Sequence, residues 1–461
     1  MPELERKLGL GDSVFLVIGS VLGSGIFLTT GIIAKDLPSP LFIWLAWIVG
    51  GFLTVSGALT YAELGAQSPK SGGPYVYLKE AYGPGAAFLY GWAFFWIIGG
   101  GGLAALAVGF AEYLGSFVPA LSLSHTLFNV SLGPLHVHPS SGQFIAVLSI
   151  VFLSGLNYFG IQSGARFQNV FTVLRIVALV GLAGFGVIIG KKSGLQNISQ
   201  VFQSRSGFSW SAFAIALVPV LWAYDGWYSI NCTAEEVKKP GKNIPMGLVL
   251  GTLIVTLLYL LTNIVYSIAL PVEKMRGIVR IGEAVSLQLF GPDGGLVLTA
   301  LILLMIFGCL SANVLFCPRI PFAMARDGVF FRKLAFVHPR YHVPSKAITA
   351  QMLWSGLLCL SGTYQSLYEY VVFALALFFA ATGFSVIVLR IKDPARLRPY
   401  RAWGYPILPV LFAVANLALF VNMIASRPLQ SLAGSLLLVL GLPAYVLWKK
   451  TIVTEKKADE P

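Results

Sequence analysis

Long apolar runs recur through this chain, separated by short polar segments. They lie at about 12–35, 40–66, 85–116, 143–160, 168–190 and 211–234, and again at about 246–270, 295–322, 345–362, 367–390, 405–425 and 430–448. Each approaches the roughly 20 residues a helix needs to cross a bilayer. The pattern predicts twelve transmembrane helices in an all-α integral membrane protein. Two runs are interrupted. The first carries G-S-V-L-G-S-G-I-F, Gly19 to Phe27, and the sixth carries W-A-Y-D-G-W, Trp222 to Trp227. Lipid offers no water to loose N–H and C=O groups, so an interruption survives only where the freed backbone lines a cavity or binds something. A matched pair of broken helices in two halves of a chain points to a transporter's binding site.

Gly11 to Gly190 holds five predicted spans and Ser211 to Ile391 holds five more. An odd number per unit turns the second copy upside down, which gives a 5+5 inverted repeat with discontinuous helices 1 and 6 facing each other. The two C-terminal helices, about 405–448, carry no buried charge and read as scaffold. Gly115 to Gly142 reads as a polar external loop, Arg276 to Phe290 as an external re-entrant or interfacial helix, and Arg326 to Lys346 as a basic cytoplasmic loop. Residues 1–461 form a single transmembrane domain on this reading.

Composition agrees: 56% of residues are hydrophobic and 11% charged, against about 25% charged in a soluble domain. With the N-terminus inside, 23 of the 32 Lys and Arg fall on the cytoplasmic side, 8 fall outside, and Arg175 alone lies within a span. That bias predicts a plasma (inner) membrane protein with both termini cytoplasmic. The net charge of +13 therefore needs no nucleic acid, and some attraction to anionic lipid heads is a secondary effect. Met1 to Leu10 is charged and runs straight into a span too long for a signal h-region. Cys232, Cys309, Cys317 and Cys359 fall in or beside apolar runs, so no disulfide framework is implied. His125, His136 and His138 in one loop, and His338 and His342 in another, make a poor metal set. No nucleophile–base constellation and no phosphate-cradling loop is present, so neither an enzyme, an ATP-driven pump nor a cofactor is expected.

At the first break Gly23 and Gly25 flank Ser24. Glycine costs roughly 1 kcal/mol in a helix interior relative to alanine, so two within three residues weaken that turn. The N–H groups at Ser24 to Ile26 then offer a positive helix end that holds a carboxylate without any arginine. The alternative is that these glycines serve close helix packing, as in G-x-x-x-G. At the second break Asp225 and Gly226 lie among Trp222, Tyr224 and Trp227. A carboxylate at mid-span costs on the order of 2.5–3.5 kcal/mol, so it needs a partner or a purpose. Free carbonyls there, with or without Asp225, attract an ammonium group; alternatively Asp225 caps local N–H groups. Gly99 to Gly102 leave room in span 3 for span 1 or substrate, or for helix packing alone. Glu63 and Glu112, near span ends, are read as gate or loop anchors, or as structural.

These residues resemble the amino acid–polyamine–organocation superfamily, and within it the L-type amino acid transporter group. The resemblance covers nearly all of spans 1 to 10. It rests on G-S-G-I-F (Gly23 to Phe27), Y-A-E-L-G (Tyr61 to Gly65), P-K-S-G-G-P-Y-V-Y-L (Pro69 to Leu78) and Y-D-G-W (Tyr224 to Trp227). T-A-E-E with N-I-P (Thr233 to Pro245), S-A-N (Ser311 to Asn313), Arg319 and A-R-D-G (Ala325 to Gly328) extend it. It implies an α-amino acid bound between spans 1 and 6. The carboxylate would meet N–H groups of Gly23, Ser24 and Gly25. The ammonium would meet carbonyls near Val21 and near Trp222 and Asp225, with Trp222 closing the pocket as a gate and favouring small side chains.

Gln168 to Arg175 matches a pattern that ends in lysine in many relatives, where sodium-coupled cousins place a cation. A desolvated lysine loses its proton and couples transport to protons, whereas Arg175 stays charged. Arg175 is therefore expected to be a permanent internal cation holding the span 1 break against span 8 (Ser311, Asn313). The other reading is that it snorkels to the cytoplasmic face from roughly 12 Å inside its span. The function expected is sodium-independent exchange or facilitated diffusion of small neutral amino acids by alternating access. The alternatives are a proton-coupled importer of cationic amino acids or polyamines, and a sensor that binds without transport. Some relatives join a heavy subunit through a cysteine between spans 3 and 4. Gly115 to Gly142 has none, so a monomer or weak dimer without a disulfide-linked partner is expected.

Overall fold

The computed structural model describes residues 4–37, 39–127, 130–132, 135–137, 139–190, 197, 208–426 and 428–458. Expectations that concern His138, Lys191, Lys192, Arg205 and Arg427 lie outside the described residues. Helix α1 (Leu10–Val21) and α2 (Gly25–Ile33) share the first apolar run. They are followed by α3 (Pro40–Gln67), α4 (Pro74–Tyr82), α5 (Pro84–Phe117), α6 (Ser141–Tyr158) and α7 (Ile161–Ile189). The sixth run holds α8 (Trp210–Ala223) and the single turn α9 (Ser229–Cys232). Then come α10 (Pro240–Ala269), α11 (Ile281–Phe316), α12 (Arg319–Arg326), α13 (Ser345–Cys359), α14 (Tyr364–Lys392), α15 (Ile407–Ser426) and α16 (Pro428–Ala458).

Among the described residues, ten helices are long and apolar enough to cross a membrane, so this is a multi-pass membrane protein. The other two predicted spans are shorter helices. α8 has 14 residues because the W-A-Y-D-G-W segment stops it, and α13 has 15.

Local chemistry sets many of the helix starts. Proline occupies the first position of α3, α4 and α10, where its missing N–H costs nothing and its fixed φ suits a helix. Ser140 caps α6 by accepting from the Gln143 N–H at 3.3 Å, and Thr363 caps α14 by accepting from the Ser366 N–H. α7 begins seven residues before its apolar run, because Ile161 to Phe167 extends the helix into polar surroundings where hydropathy gives no signal. α11 turns sharply at Gly291, with φ 71° before Pro292, so Ile281 to Phe290 forms the separate helical arm that its amphipathic pattern predicts. The loop at 115–142 is not wholly irregular. A 3₁₀ turn at Pro119–Leu121 and a small antiparallel hairpin pairing Val130–Leu132 with Leu135–Val137 interrupt the all-helical pattern.

α3 packs along α10, α1 lies against both α10 and α7, and α14 packs on α15. At the face carrying the N-terminus, the N–H groups of Lys7 and Leu8 donate to the Glu236 carbonyl at 2.9 and 3.0 Å. Side chains facing outward along the helices are apolar: Leu250, Leu253 and Leu257 on α10, and Val414, Leu417 and Val421 on α15, are all more than a third exposed. That inverts the usual soluble pattern and suits lipid.

Candidate functional site

The two breaks meet at the centre of the molecule. α1 ends at Val21, residues 22–24 are non-helical, and α2 starts at Gly25. Among the described residues no hydrogen bond takes up the N–H groups of Ser24, Gly25 or Ile26, so the positive end of α2 is open. Facing it, α8 stops at Ala223. Gly226 takes φ 95°, and a Cβ there would lie 2.6 Å from the Ser20 carbonyl oxygen. A Cβ on Gly25 would overlap the Ala223 backbone. Glycine is required at both positions, the first for its left-handed backbone and the second because one broken helix rests directly on the other.

A small chamber of about 430 Å³ lies between the breaks. Val21, Gly23, Ser24, Gly25, Trp222 and Asp225 line it, with Gly99 and Gly102 from α5 and Asn313 from α11. A π-helical turn at Phe94–Ile98 precedes the four glycines, and Gly102 has open space where a Cβ would sit.

Partners are uneven around the chamber. The Tyr259 hydroxyl lies 2.8 Å from the Val21 carbonyl and 3.0 Å from that of Ala223, bridging the two breaks. Asn313 Nδ2 donates to the Ser20 carbonyl at 3.1 Å. Asp225 Oδ1 is buried without a partner among the described residues. On the side opposite the N-terminal face, Trp222 Nε1 donates to the Tyr364 hydroxyl oxygen at 2.8 Å, and Ser24 Oγ donates to the same oxygen at 3.2 Å. The Trp222 ring stacks on Tyr368, centroids 5.8 Å apart. Toward the N-terminal face Tyr228 packs on Phe316 and Phe379. Below them Glu236 pairs with Arg319 at 3.0 Å, both fully buried.

The family model described as "Amino acid permease" matches residues 8–446. This chain belongs to the amino acid permease family. The permease is 30% identical to the "Serine/threonine exchanger SteT" of Bacillus subtilis, over 97% of this chain and 98% of that protein. It is 28% identical to the human "Cystine/glutamate transporter", over 99% and 87% of the two chains. With the human "b(0,+)-type amino acid transporter 1" it shares 26%, over 97% and 88%. These relatives of the amino acid–polyamine–organocation superfamily, L-type members included, are transporters rather than enzymes.

Two side chains expected at the permease's chamber, and Ser311 expected beside Arg175, sit elsewhere. Tyr224 turns away, its hydroxyl donating to the Trp47 carbonyl at 3.2 Å. The Ile26 side chain is buried behind α2, and its carbonyl accepts from Tyr266 at 3.3 Å. Ser311 lies two residues from both Cys309 and Asn313, about 200° around the helix. Those two face α1, while the buried Ser311 hydroxyl has no partner among the described residues. Arg175 stands 14 residues into α7, roughly 21 Å along its axis. It is wholly buried and donates to the carbonyls of Gly19 at 2.6 Å and Leu22 at 3.1 Å. Snorkelling is excluded, and the guanidinium reaches the α1 end rather than Ser311.

Tyr364, Tyr368 and Tyr259 were not singled out from sequence. The only hint is the i, i+4 tyrosine pair opening α14, which looks like any interfacial aromatic in a spanning helix. Glu63 meets Arg390 at 2.6 Å and Arg398 at 3.5 Å and accepts from the Ala402 N–H at 2.6 Å. It is a loop anchor on the N-terminal face, away from the chamber.

Proposed function

We propose that this permease carries small neutral amino acids across the plasma membrane by alternating access, as a sodium-independent exchanger or facilitator. In this reading it has twelve spans with both termini cytoplasmic. Two inverted five-span repeats, at about 11–190 and 211–391, carry the broken helices, and the helices at about 405–448 form scaffold. The observation that supports it most is the pairing of free N–H groups at Ser24, Gly25 and Ile26 with carbonyls of Val21, Trp222 and Ala223 across one small chamber. A zwitterion placed there sets its carboxylate against the α2 dipole and its ammonium against the carbonyl end, with no charged side chain needed. Each carbonyl engaged by Tyr259 keeps a second lone pair for the ammonium. The substrate side chain then points toward Gly102, where the open space beside the glycine suits a small group.

The partnerless Asp225 oxygen favours a second reading, in which the side chain brings its own hydroxyl or ammonium to that carboxylate. A polyamine fits less well, having no carboxylate for the α2 end. Purified protein in sealed vesicles, preloaded and tested by counterflow against all common amino acids and their decarboxylated amines, separates these readings. Exchange of alanine, serine or threonine with no response to amines is the expected result. Binding without flux would make the protein a sensor instead. Asp225→Asn is expected to leave alanine exchange within about threefold while lowering serine or lysine exchange at least tenfold, the cost of one charge-assisted hydrogen bond of about 1.5–3 kcal/mol. Comparing alanine, serine and lysine exchange by the variant checks this. Without a cysteine in the loop at 115–142, the carrier works as a monomer or weak dimer with no disulfide-linked subunit.

A further inference from the structure

Five cations gather on the N-terminal face where three chain segments meet, and no neighbouring acid answers them. Arg6 precedes the strap whose Leu8 carbonyl accepts from the Lys238 N–H at 2.8 Å. Lys239 and Lys242 open α10, and a Cβ on Gly241 would lie 3.0 Å from Pro399 Cβ, two residues before Arg401. Arg6, Lys238, Lys239, Lys242 and Arg401 are all exposed, and none forms an ion pair among the described residues. The carboxylates nearby are engaged elsewhere: Glu5 with Lys7 and His342, Glu235 with Arg326, Glu236 with Arg319, and Asp12 with the Gly9 N–H.

This cluster sits at the head of two apolar faces. From Lys242 the outward side of α10 continues through Met246, Leu250, Leu253 and Leu257, spaced for one face of a helix. Beside Arg401, Trp403 is 76% exposed and Ile407 70% exposed, at the start of the lipid side of α15. An exposed indole next to unpaired cations, with apolar stripes running from them into the bilayer, matches the layering of a membrane–water boundary. We propose that this surface binds anionic phospholipid. The phosphate lies among Lys238, Lys239, Lys242 and Arg401, and the acyl chains lie along α10 and α15. Because Lys238 and Lys239 belong to the linker leaving the second break, a bound lipid also pins that linker to the membrane surface. The proposal uses the membrane setting of the chain and is independent of what it carries.

The test uses full-length protein in vesicles, with the Trp403 signal taken as wild type minus Trp403→Phe. Brominated phosphatidylglycerol is expected to quench that signal at least tenfold more effectively per mole than brominated phosphatidylcholine. The preference should shrink about fivefold when one of these lysines is replaced by glutamine, vanish in the triple glutamine variant, fade at high salt, and persist in a Lys238→Arg/Lys239→Arg/Lys242→Arg variant. Equal quenching by the two lipids overturns the proposal, as does a preference that survives triple glutamine replacement. Displacement of the lipid by millimolar inorganic phosphate also overturns it, because the cluster would then be a free-anion site.

Discussion

Gly226 shows how little freedom single positions have where the two breaks touch. Its φ of 95° lies where a side chain is strained, and a Cβ would press on the Ser20 carbonyl. Gly226→Ala is expected to cost about 1–3 kcal/mol in strain alone and to separate the two helix ends. The checks are a lower thermal midpoint in detergent and loss of amino acid exchange. Gly102 is the contrasting case, because nothing stands where its Cβ would go. Gly102→Val should fold normally, since a residue with a side chain replaces glycine in a helix at little cost, yet it narrows the chamber. Exchange of the larger substrates should fall at least tenfold with Tm within a few degrees of wild type; unchanged exchange would place the substrate side chain elsewhere.

At the scale of helices, the site is a junction of half-helices held by tyrosines. Tyr364 accepts from both Trp222 on α8 and Ser24 beside α2, so one hydroxyl ties the two broken helices to α14. Tyr364→Phe leaves a buried indole N–H without its acceptor, a penalty of about 1–3 kcal/mol against the closed arrangement. We expect an engineered Val218→Cys, one turn before Trp222, to react roughly 5- to 100-fold faster with an impermeant maleimide from the opposite face in that background. No acceleration would show that Tyr364 does not hold this side shut.

The junction was only half legible in the sequence, for a physical reason. Glycine, serine and aspartate inside apolar runs mark the breaks, because a continuous spanning helix has no use for them. Tyr259, Tyr364 and Tyr368 leave no such mark, since tyrosine in a spanning helix also serves packing and interfaces. Arg175 was visible, but its depth was not. Residues 161–167 are too polar to extend the apolar run, although they extend the helix, so the side chain looked able to reach water. Ser311 lies two residues from Asn313, a spacing that turns it to the other side of the helix, and the motif that contains both carries no sign of that angle.

Across the whole molecule, the charge on which the proposed function rests its lack of coupling is Arg175, wholly buried with its guanidinium on the Gly19 and Leu22 carbonyls. On that reading a permanent cation at the end of α1 supplies the donors those carbonyls need. It neither arrives nor leaves, as a sodium ion would, and an arginine does not shed its proton at physiological pH. On that reading neither a pH nor a sodium gradient acts through this position. In sealed vesicles, uptake of labelled amino acid should depend on amino acid on the other side, and not on an imposed pH step or on replacing sodium by potassium. Arg175→Lys is the informative variant. An ammonium makes fewer donors available to the two carbonyls, so exchange should slow, and a buried lysine can lose its proton, so a pH gradient should begin to drive accumulation. Wild-type protein that concentrates substrate severalfold under a pH gradient alone, with Arg175→Lys behaving identically, would place coupling at another group and remove Arg175 from the mechanism.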